Sequence, residues 1–280
     1  MSTGPVAAAI ASGALGDRVW LYSNYHCNLA CTYCLTDSAP NVARRELGTA
    51  AMVATARQAG ELGFAALGVT GGEPFLRPEM PATLVHLAAI LPTVVISNAT
   101  LFAGPRLERL RPLASADVAV QVSLDWADAR PNDELRGPGN HGRVVDSIPR
   151  LVDMGIRVRV GTTVDPAAEV SEQDQARLCE LHRSLGVPDD DHVVRPVVRR
   201  GRAEATGMGV EATVADLPPE LTVTADGAFW SPFGPTVRDG RPDTDLLVTR
   251  TTDPLSVPAA AMARLAAGRP PGDDARLGIR

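Results

Sequence analysis

The sequence is poor in cysteine, has no long apolar run and carries no excess of positive charge. No apolar stretch reaches the roughly 18 residues that a membrane-spanning helix needs, so we expect no membrane span. The formal net charge of −6 gives no indication of nucleic-acid binding. There are four cysteines in 280 residues, three of them clustered and Cys179 far away, which is not the pattern of a disulfide framework. Residues 6–15 lack the basic leader of a signal peptide, so we expect a cytoplasmic protein.

The clustered cysteines are Cys27, Cys31 and Cys34, with the spacing C-x3-C-x2-C. Three thiolates on one loop can bind three irons of a [4Fe–4S] cluster, which normally takes four cysteine ligands. The loop therefore predicts a cluster whose fourth iron is open to another ligand. A zinc site usually has a second cysteine or histidine pair downstream, which is missing, and His26 is too close to Cys27 to serve easily. A redox pair would explain only Cys31 and Cys34, but zinc and redox functions stay open as alternatives.

Hydrophobic patterning predicts six strands, each followed by a helix, within residues 17–202. The predicted strands span 19–25, 65–70, 93–97, 117–124, 157–164 and 192–198. Short loops between such units are typical of parallel βαβ construction. The pattern indicates an α/β fold, and six units are fewer than the eight of a closed barrel. Among the helices, we expect one that has Thr49 as its N-cap and runs to residue 62, and one that starts at Ser171.

The fourth predicted strand has one apolar and one more polar face. Ala119, Gln121, Ser123 and Asp125 share the second face, although a parallel strand in a packed barrel is usually apolar on both sides. This pattern favours a wet or ligand-filled centre. The alternative is an edge strand that turns its polar face to solvent.

Gly71-Gly72-Glu73-Pro74 follows the second predicted strand. This motif, together with C-x3-C-x2-C and the aromatic Tyr33 before the last cysteine, resembles the radical S-adenosylmethionine (SAM) superfamily. The resemblance covers about residues 19–202 and is closest to the branch of the molybdenum-cofactor cyclase and the SPASM-type peptide-modifying enzymes. It implies a partial (β/α)6 TIM-type barrel and a [4Fe–4S] cluster held by the three clustered cysteines. It also implies that SAM chelates the fourth iron and yields a 5′-deoxyadenosyl radical, which takes a hydrogen atom from the substrate.

The candidate cofactor-binding residues lie at the predicted C-terminal strand ends, where sites of such barrels are found. Gly71 and Gly72 let the backbone approach a ligand closely, and the resemblance implies that they bind the SAM amino group. Glu73 could supply charge or orient this loop. The resemblance places Tyr33 near the adenine and makes Ser123 the best SAM contact among the polar candidates. The remaining candidates are Ser97, Asn98, Asp125 and Arg195, the last chosen from a group with Arg136, Arg159, Arg199 and Arg200 as a ligand for a carboxylate of SAM or of an anionic substrate.

The sequence predicts four segments: a flexible start at 1–16, the barrel at 17–202, a C-terminal extension at 203–268 and a flexible tail at 269–280. The extension contains a β-hairpin around Asp226-Gly227 and resembles a SPASM or twitch region, but it has no cysteines for an auxiliary cluster. We therefore expect a radical SAM enzyme in a biosynthetic pathway. The alternative is a non-catalytic scaffold that binds an iron–sulfur cluster or zinc.

The expected partners are a small-molecule or peptide substrate and a flavodoxin or ferredoxin as electron donor. Sixteen residues before the first predicted strand are too few for a separate peptide-recognition domain. We therefore expect a small molecule, or a peptide delivered by a partner.

Overall fold

Six parallel strands form the centre of the computed structural model, which describes residues 4–168, 170–238 and 240–267. The strands are β1 (Arg18–Tyr22), β2 (Ala66–Thr70), β3 (Thr93–Ser97), β4 (Val118–Ser123), β5 (Arg157–Val164) and β6 (His192–Pro196). They pair in chain order, each parallel to the next. This open arrangement confirms the predicted partial (β/α)6 barrel, and β6 forms one edge of the sheet.

Helices connect the strands, and several begin or end where the sequence predicts. The helices are α1 (Pro5–Ala11), α2 (Thr49–Leu62), α3 (Met80–Ala88), α4 (Pro105–Glu108), α5 (Ala129–Arg136), α6 (Asn140–Asp153), α7 (Glu172–Ser184), α8 (Arg202–Ala205) and α9 (Ser256–Ala266). Gly63 ends α2 in a left-handed conformation with φ 95°, which favours glycine. Ser171 and Asp174 form a capping box at the start of α7. The cap of α2 is Gly48 rather than the predicted Thr49.

Both ends of the chain are predicted to be flexible, and the structure describes only part of the first of them. Residues 1–16 are predicted to be flexible, whereas the structure has helix α1 there, with Val6 only 5 % exposed. The reason is packing, because α1 lies against α9 and Val6 joins the main core. The predicted flexible tail at 269–280 lies outside the described residues.

The C-terminal extension continues the barrel sheet. Its predicted hairpin is present as β7 (Thr222–Thr224) and β8 (Gly227–Phe229). Strand β7 pairs in parallel with β1, and β11 (Leu247–Thr249) pairs with β8, so the sheet order is β11-β8-β7-β1-β2-β3-β4-β5-β6. A separate ribbon is formed by β9 (Val237–Arg238) and β10 (Arg241–Pro242). The likeness of 203–268 to a SPASM or twitch region stays a prediction.

Strand β4 is an interior strand, since it pairs with both β3 and β5. The edge-strand alternative is therefore wrong. Gln121 is 3 % exposed and Ser123 lines a cavity at the strand end, so the polar face of β4 turns into the barrel. In the described part of the chain, no helix is both long and apolar enough to cross a membrane.

Candidate active site

A cavity of about 130 Å³ lies at the C-terminal ends of the parallel strands. We call it the barrel cavity. The predicted site residues that line it are Cys27, Cys31, Tyr33, Cys34, Gly71, Gly72, Ser97, Asn98, Ser123 and Arg195. The structure thus brings ten of the twelve predicted residues to one cavity, while Glu73 and Asp125 lie behind its wall.

The cysteine loop follows β1 and turns tightly before its last cysteine. The N–H of Cys34 donates to the carbonyl of Cys31 at 3.2 Å. Two donors point at the sulfur of Cys27: the N–H of Leu29 at 3.4 Å and the side-chain amide of Asn98 at 3.6 Å. Burial raises the pKa of Cys27 well above its ordinary value and that of Cys31 to about 11. These thiols therefore need a cationic partner to lose their protons at neutral pH, as metal ligands do.

The three thiols of the cysteine loop are not grouped as ligands of a single metal ion. No three His, Cys, Asp or Glu side chains among the described residues are placed to hold one metal ion. A cubane cluster spreads its thiolate ligands over separate irons, so its ligands stand farther apart than those of zinc. His26 does not line the cavity and its Nε2 lies 3.7 Å from Glu46 Oε1, which weakens the zinc alternative.

Gly71 and Gly72 are required by the packing of the protein itself. A Cβ on Gly71, which has φ 142°, would lie 2.4 Å from the carbonyl oxygen of Asn24, and one on Gly72 would lie 2.0 Å from that of His26. The N–H of Gly72 also donates to the carbonyl of Asn24 at 2.8 Å. The glycines therefore let the loop after β2 pack directly on the segment that leads into the cysteine loop.

Glu73 is fully buried and orients its surroundings. Its carboxylate accepts hydrogen bonds from the N–H of Phe75 at 3.0 Å, the hydroxyl of Ser97 at 2.9 Å and the N–H of Asn98 at 2.8 Å. Burial raises the pKa of Glu73 to about 7, and the three donors oppose that shift. Of the two roles expected for Glu73, the structure supports the orientation of the loop.

The side chains of Ser97 and Asn98 are also hydrogen-bonded to other protein groups. The hydroxyl of Ser97 donates to Glu73 and accepts from the N–H of Ala99 at 3.0 Å. The amide of Asn98 donates to Asn28 Oδ1 at 3.0 Å and reaches the sulfur of Cys27. These two residues therefore connect the end of β3 to the cysteine loop.

Asp125 is held in a buried ion pair and does not face the barrel cavity. Arg136 binds both of its carboxylate oxygens, with Nε at 2.6 Å and Nη2 at 3.0 Å. The hydroxyl of Tyr33 donates to Asp125 at 2.5 Å, and the N–H of Thr163 donates at 2.8 Å. Arg136 is the last residue of helix α5, whose residues are mostly polar.

The side chains of Ser123 and Arg195 have fewer hydrogen-bond partners in the described chain. The hydroxyl of Ser123 has no hydrogen-bond partner among the described residues. Among the described residues, Arg195 Nε donates to the hydroxyl of Thr163 at 3.4 Å, and its guanidinium carbon lies 5.9 Å from the centroid of the Phe233 ring. Burial lowers the pKa of Arg195, and no carboxylate of the described chain lies within 4 Å of it. The other arginines of its group do have acidic partners: Arg136 with Asp125, Arg159 with Asp191, Arg199 with Glu211 and Arg200 with Asp243.

Arg202 holds the cysteine loop and was not a sequence candidate. Its guanidinium donates to the carbonyls of Cys31 at 2.7 Å and Ser38 at 2.9 Å and pairs with Asp37 at 2.8 Å. Gly201, at φ 56°, precedes it, and a Cβ there would lie 2.3 Å from the carbonyl oxygen of Leu35. The partners are about 170 residues apart in the sequence, so no local pattern could indicate this contact.

Comparison with known proteins agrees with this geometry. Residues 21–178, more than half of the chain, match the model of the radical SAM superfamily. The chain belongs to this superfamily.

Curated relatives match over part of their length. A probable GTP 3′,8-cyclase from Archaeoglobus fulgidus is 31% identical over 150 residues, which cover 53% of this chain and 49% of the relative. A PqqA peptide cyclase from Xanthomonas oryzae pv. oryzae is 30% identical over 142 residues, which cover 50% of this chain and 36% of the relative. The matched region thus spans about half or less of the length of these relatives.

Solved structures share the fold. SuiB from Streptococcus suis, bound to S-adenosylmethionine, aligns with a TM-score of 0.59 and 19% identity over 75% of this chain and 48% of SuiB. The anSMEcpe structure with bound AdoMet aligns with a TM-score of 0.59 and 12% identity over 89% of this chain and 83% of that chain. Both likenesses support the open barrel as the fold of this chain.

Proposed function

We propose that the chain is an enzyme that binds a [4Fe–4S] cluster through Cys27, Cys31 and Cys34 and cleaves SAM. The observation that supports this most is the convergence of these thiols, the Gly71-Gly72 loop and the free hydroxyl of Ser123 on one cavity. When bound, the cluster supplies one electron that splits SAM to the 5′-deoxyadenosyl radical, which takes a hydrogen atom from the substrate.

Different residues of the barrel cavity are assigned to the cluster and to the separate parts of SAM. Asn98 and the N–H of Leu29 donate toward the Cys27 sulfur and so stabilise its thiolate. The Gly71-Gly72 backbone forms the wall for the SAM amino group, as the resemblance implies. Ser123 and Arg195 are the uncommitted polar groups, and we assign them to the ribose or to a carboxylate of SAM or substrate. Tyr33 remains the proposed neighbour of the adenine, since its ring lines the cavity.

We assign Glu73 and Asp125 to positioning and not to direct SAM contact, which for Glu73 is the second of the two roles expected from the sequence. Glu73 accepts three hydrogen bonds from protein donors and Asp125 accepts four, so both carboxylates hold the cavity wall in place. Glu73 holds Ser97 and Asn98, and Asp125 holds Arg136 and Tyr33.

The substrate we propose is a small molecule or a peptide that carries a carboxylate for Arg195. The names of the relatives cover both classes, a GTP cyclase and a peptide cyclase. A flavodoxin or ferredoxin of the cytoplasm is the proposed electron donor.

Anaerobic purification followed by a SAM cleavage assay tests the function. We expect a brown protein with about four irons per chain that releases 5′-deoxyadenosine when reduced with dithionite in the presence of SAM. Cys31→Ala should abolish this release, because it removes one of only three protein ligands. Cys179→Ser is the matched control and should keep iron content and release, since Cys179 does not line the barrel cavity. A colourless protein that contains zinc would contradict the proposal and support the scaffold alternative.

A further inference from the structure

A second cavity, of about 470 Å³, lies beside the barrel cavity, and the proposed function does not use it. We call it the flank cavity. It lies at the outer side of β5 and β6 and is closed by parts of α5 and α7. Its apolar walls include Trp126, Leu135, Val170, Leu178, Val194 and Met208. Val194 is 57 % exposed, which is unusual for a strand valine and places an apolar side chain at the sheet edge.

The charges around the flank cavity select against anions. The ionisable side chains on its walls are Asp125, Glu134, Asp165, Asp174, Cys179 and His192, and no lysine or arginine of the described chain lines it. Asp125 is neutralised by Arg136, but the other carboxylates have no such buried partner. The carboxylates therefore disfavour an anionic ligand, and the apolar walls favour a largely apolar, neutral one.

Cys179 and His192 form a thiol–imidazole pair on the wall of the flank cavity. The sulfur of Cys179 lies 3.8 Å from Nδ1 of His192, and Nε2 of His192 lies 2.9 Å from the hydroxyl oxygen of Thr162. Thr162 donates its only hydroxyl proton to the carbonyl of Leu124 at 2.8 Å. It must therefore accept the second bond from Nε2–H of His192. This network leaves the lone pair of Nδ1 directed at the thiol of Cys179.

A second buried histidine accompanies this pair. His182 is 1 % exposed, and neither of its ring nitrogens has a hydrogen-bond partner in the described chain. Its ring meets that of His192 edge-on, with the centroids 4.4 Å apart, and it follows Cys179 by three residues on α7. Burial lowers the pKa of His182 to about 3 and also lowers that of His192, so both rings are neutral at neutral pH. His192 can therefore act as a base, and His182 has an unused donor on the helix face that carries the thiol.

We propose that the flank cavity is a covalent ligand site in which Cys179 adds to a neutral, apolar α,β-unsaturated carbonyl compound. The sulfur forms a bond to the β-carbon while its proton moves to Nδ1 of His192. The electron pair of the carbon–carbon double bond moves toward the carbonyl, and the protonated imidazole then returns the proton to the α-carbon. Addition uses every atom of both reactants, so it needs no oxidant, reductant or leaving group.

Two maleimides of equal chain length test the site on the anaerobically purified holoprotein. N-hexylmaleimide is neutral, whereas 6-maleimidohexanoate ends in a carboxylate, and mass spectrometry of the peptide that contains Cys179 gives both rates. In the native protein we expect the neutral probe to react roughly tenfold faster at Cys179, because the cavity is apolar and acidic. In urea-unfolded protein the two rates at Cys179 should be equal.

His192→Gln tests the base. Loss of a general base typically costs on the order of a hundredfold in rate, so we expect labelling of native Cys179 by N-hexylmaleimide to fall by about that factor. Thr162→Val keeps the imidazole and removes its partner, and it should slow labelling less. Circular dichroism checks that both variants fold. If His192→Gln does not fold, the labelling rate of Thr162→Val is used to test the base.

Two results would overturn the site: equal native rates for the two maleimides, or unchanged labelling in folded His192→Gln. The proposed radical chemistry is tested separately by release of 5′-deoxyadenosine, which Cys179→Ser should retain. Selective labelling in a protein that does not cleave SAM would refute the proposed function and leave the flank cavity site intact.

Discussion

Buried polar side chains on the two sides of the barrel differ in how many hydrogen bonds they make within the protein. At the ends of β2 to β4, Glu73 accepts three hydrogen bonds and Asp125 accepts four, from backbone, hydroxyl and guanidinium donors. On the side of β6, Arg195 has no carboxylate within 4 Å in the described chain, and neither ring nitrogen of His182 has a hydrogen-bond partner there. A side chain that already has protein partners stabilises the structure, whereas one without partners is available to a ligand. The bonded carboxylates Glu73 and Asp125 therefore shape the site, and recognition is expected at the polar side chains left without such partners, Arg195 on β6 and Ser123 on β4.

The largest effect on stability should come from Asp125→Ala. Arg136 is only 6 % exposed, and this change leaves its charge buried without a partner. Breaking such a pair costs about 3–5 kcal/mol of the free energy of unfolding, measurable by urea denaturation.

The double variant Asp125→Ala with Arg136→Leu is the control, because it removes the buried charge as well. It should recover part of the loss. A cost below about 1 kcal/mol for Asp125→Ala alone would show that the pair is reached by water, as surface pairs are.

The unpartnered His182 should make stability depend on pH. Burial lowers its pKa to about 3 from an ordinary 6.5, so below pH 6.5 the unfolded chain binds a proton that the folded chain refuses. Stability is therefore lost as the pH falls, by about 2 kcal/mol at pH 5. His182→Phe removes this loss, and the difference in unfolding free energy between the two proteins at pH 7 and pH 5 measures it.

His86 on α3 gives the matched control because its ring is exposed. His86→Phe should leave the pH dependence of the wild type unchanged. If His182→Phe shows the same dependence as wild type, the His182 ring is not held neutral in the folded protein.

Sequence patterns predicted the parts of the fold that local residues determine. The six strands follow β-branched runs, and the capping box of α7 lies within four residues. Helices α1 and α5 were not predicted as such. Helix α5 consists mostly of polar residues, and the short helix α1 is ordered by contact with α9 at the other end of the chain.

The same limit applies to the site. The cysteines and the Gly-Gly motif could be found because each lies in one short segment. Whether Glu73 and Asp125 face a ligand depends on donors that are up to 92 residues away, and the contact of Arg202 with Cys31 spans 171 residues. Which of several polar residues is free can therefore be read only from the folded chain.

Arg202→Gln should weaken the cysteine loop without removing a ligand. Its guanidinium makes charge-assisted bonds to two loop carbonyls but is 21 % exposed, so we expect a loss of about 1–2 kcal/mol. The expected second readout is a lower iron content after anaerobic purification. Arg111→Gln is the control, since the exposed Arg111 pairs with the exposed Glu108 and should change neither quantity. Normal iron content in Arg202→Gln would show that the loop keeps its shape without this contact.

A pair of serine variants gives the smallest and most specific test of the comparison. Ser97 is 2 % exposed and both donates and accepts, so Ser97→Ala should cost about 1 kcal/mol of stability because it leaves Glu73 and Ala99 short of a partner. Ser123 has no partner in the described chain, so Ser123→Ala should change stability by less than about 0.5 kcal/mol. If Ser123 binds SAM, its variant should instead raise the SAM concentration that gives half-maximal release of 5′-deoxyadenosine by roughly fivefold, as the loss of one hydrogen bond predicts. The proposed roles would be contradicted if Ser123→Ala lowered the stability and Ser97→Ala raised only the SAM concentration needed for half-maximal release.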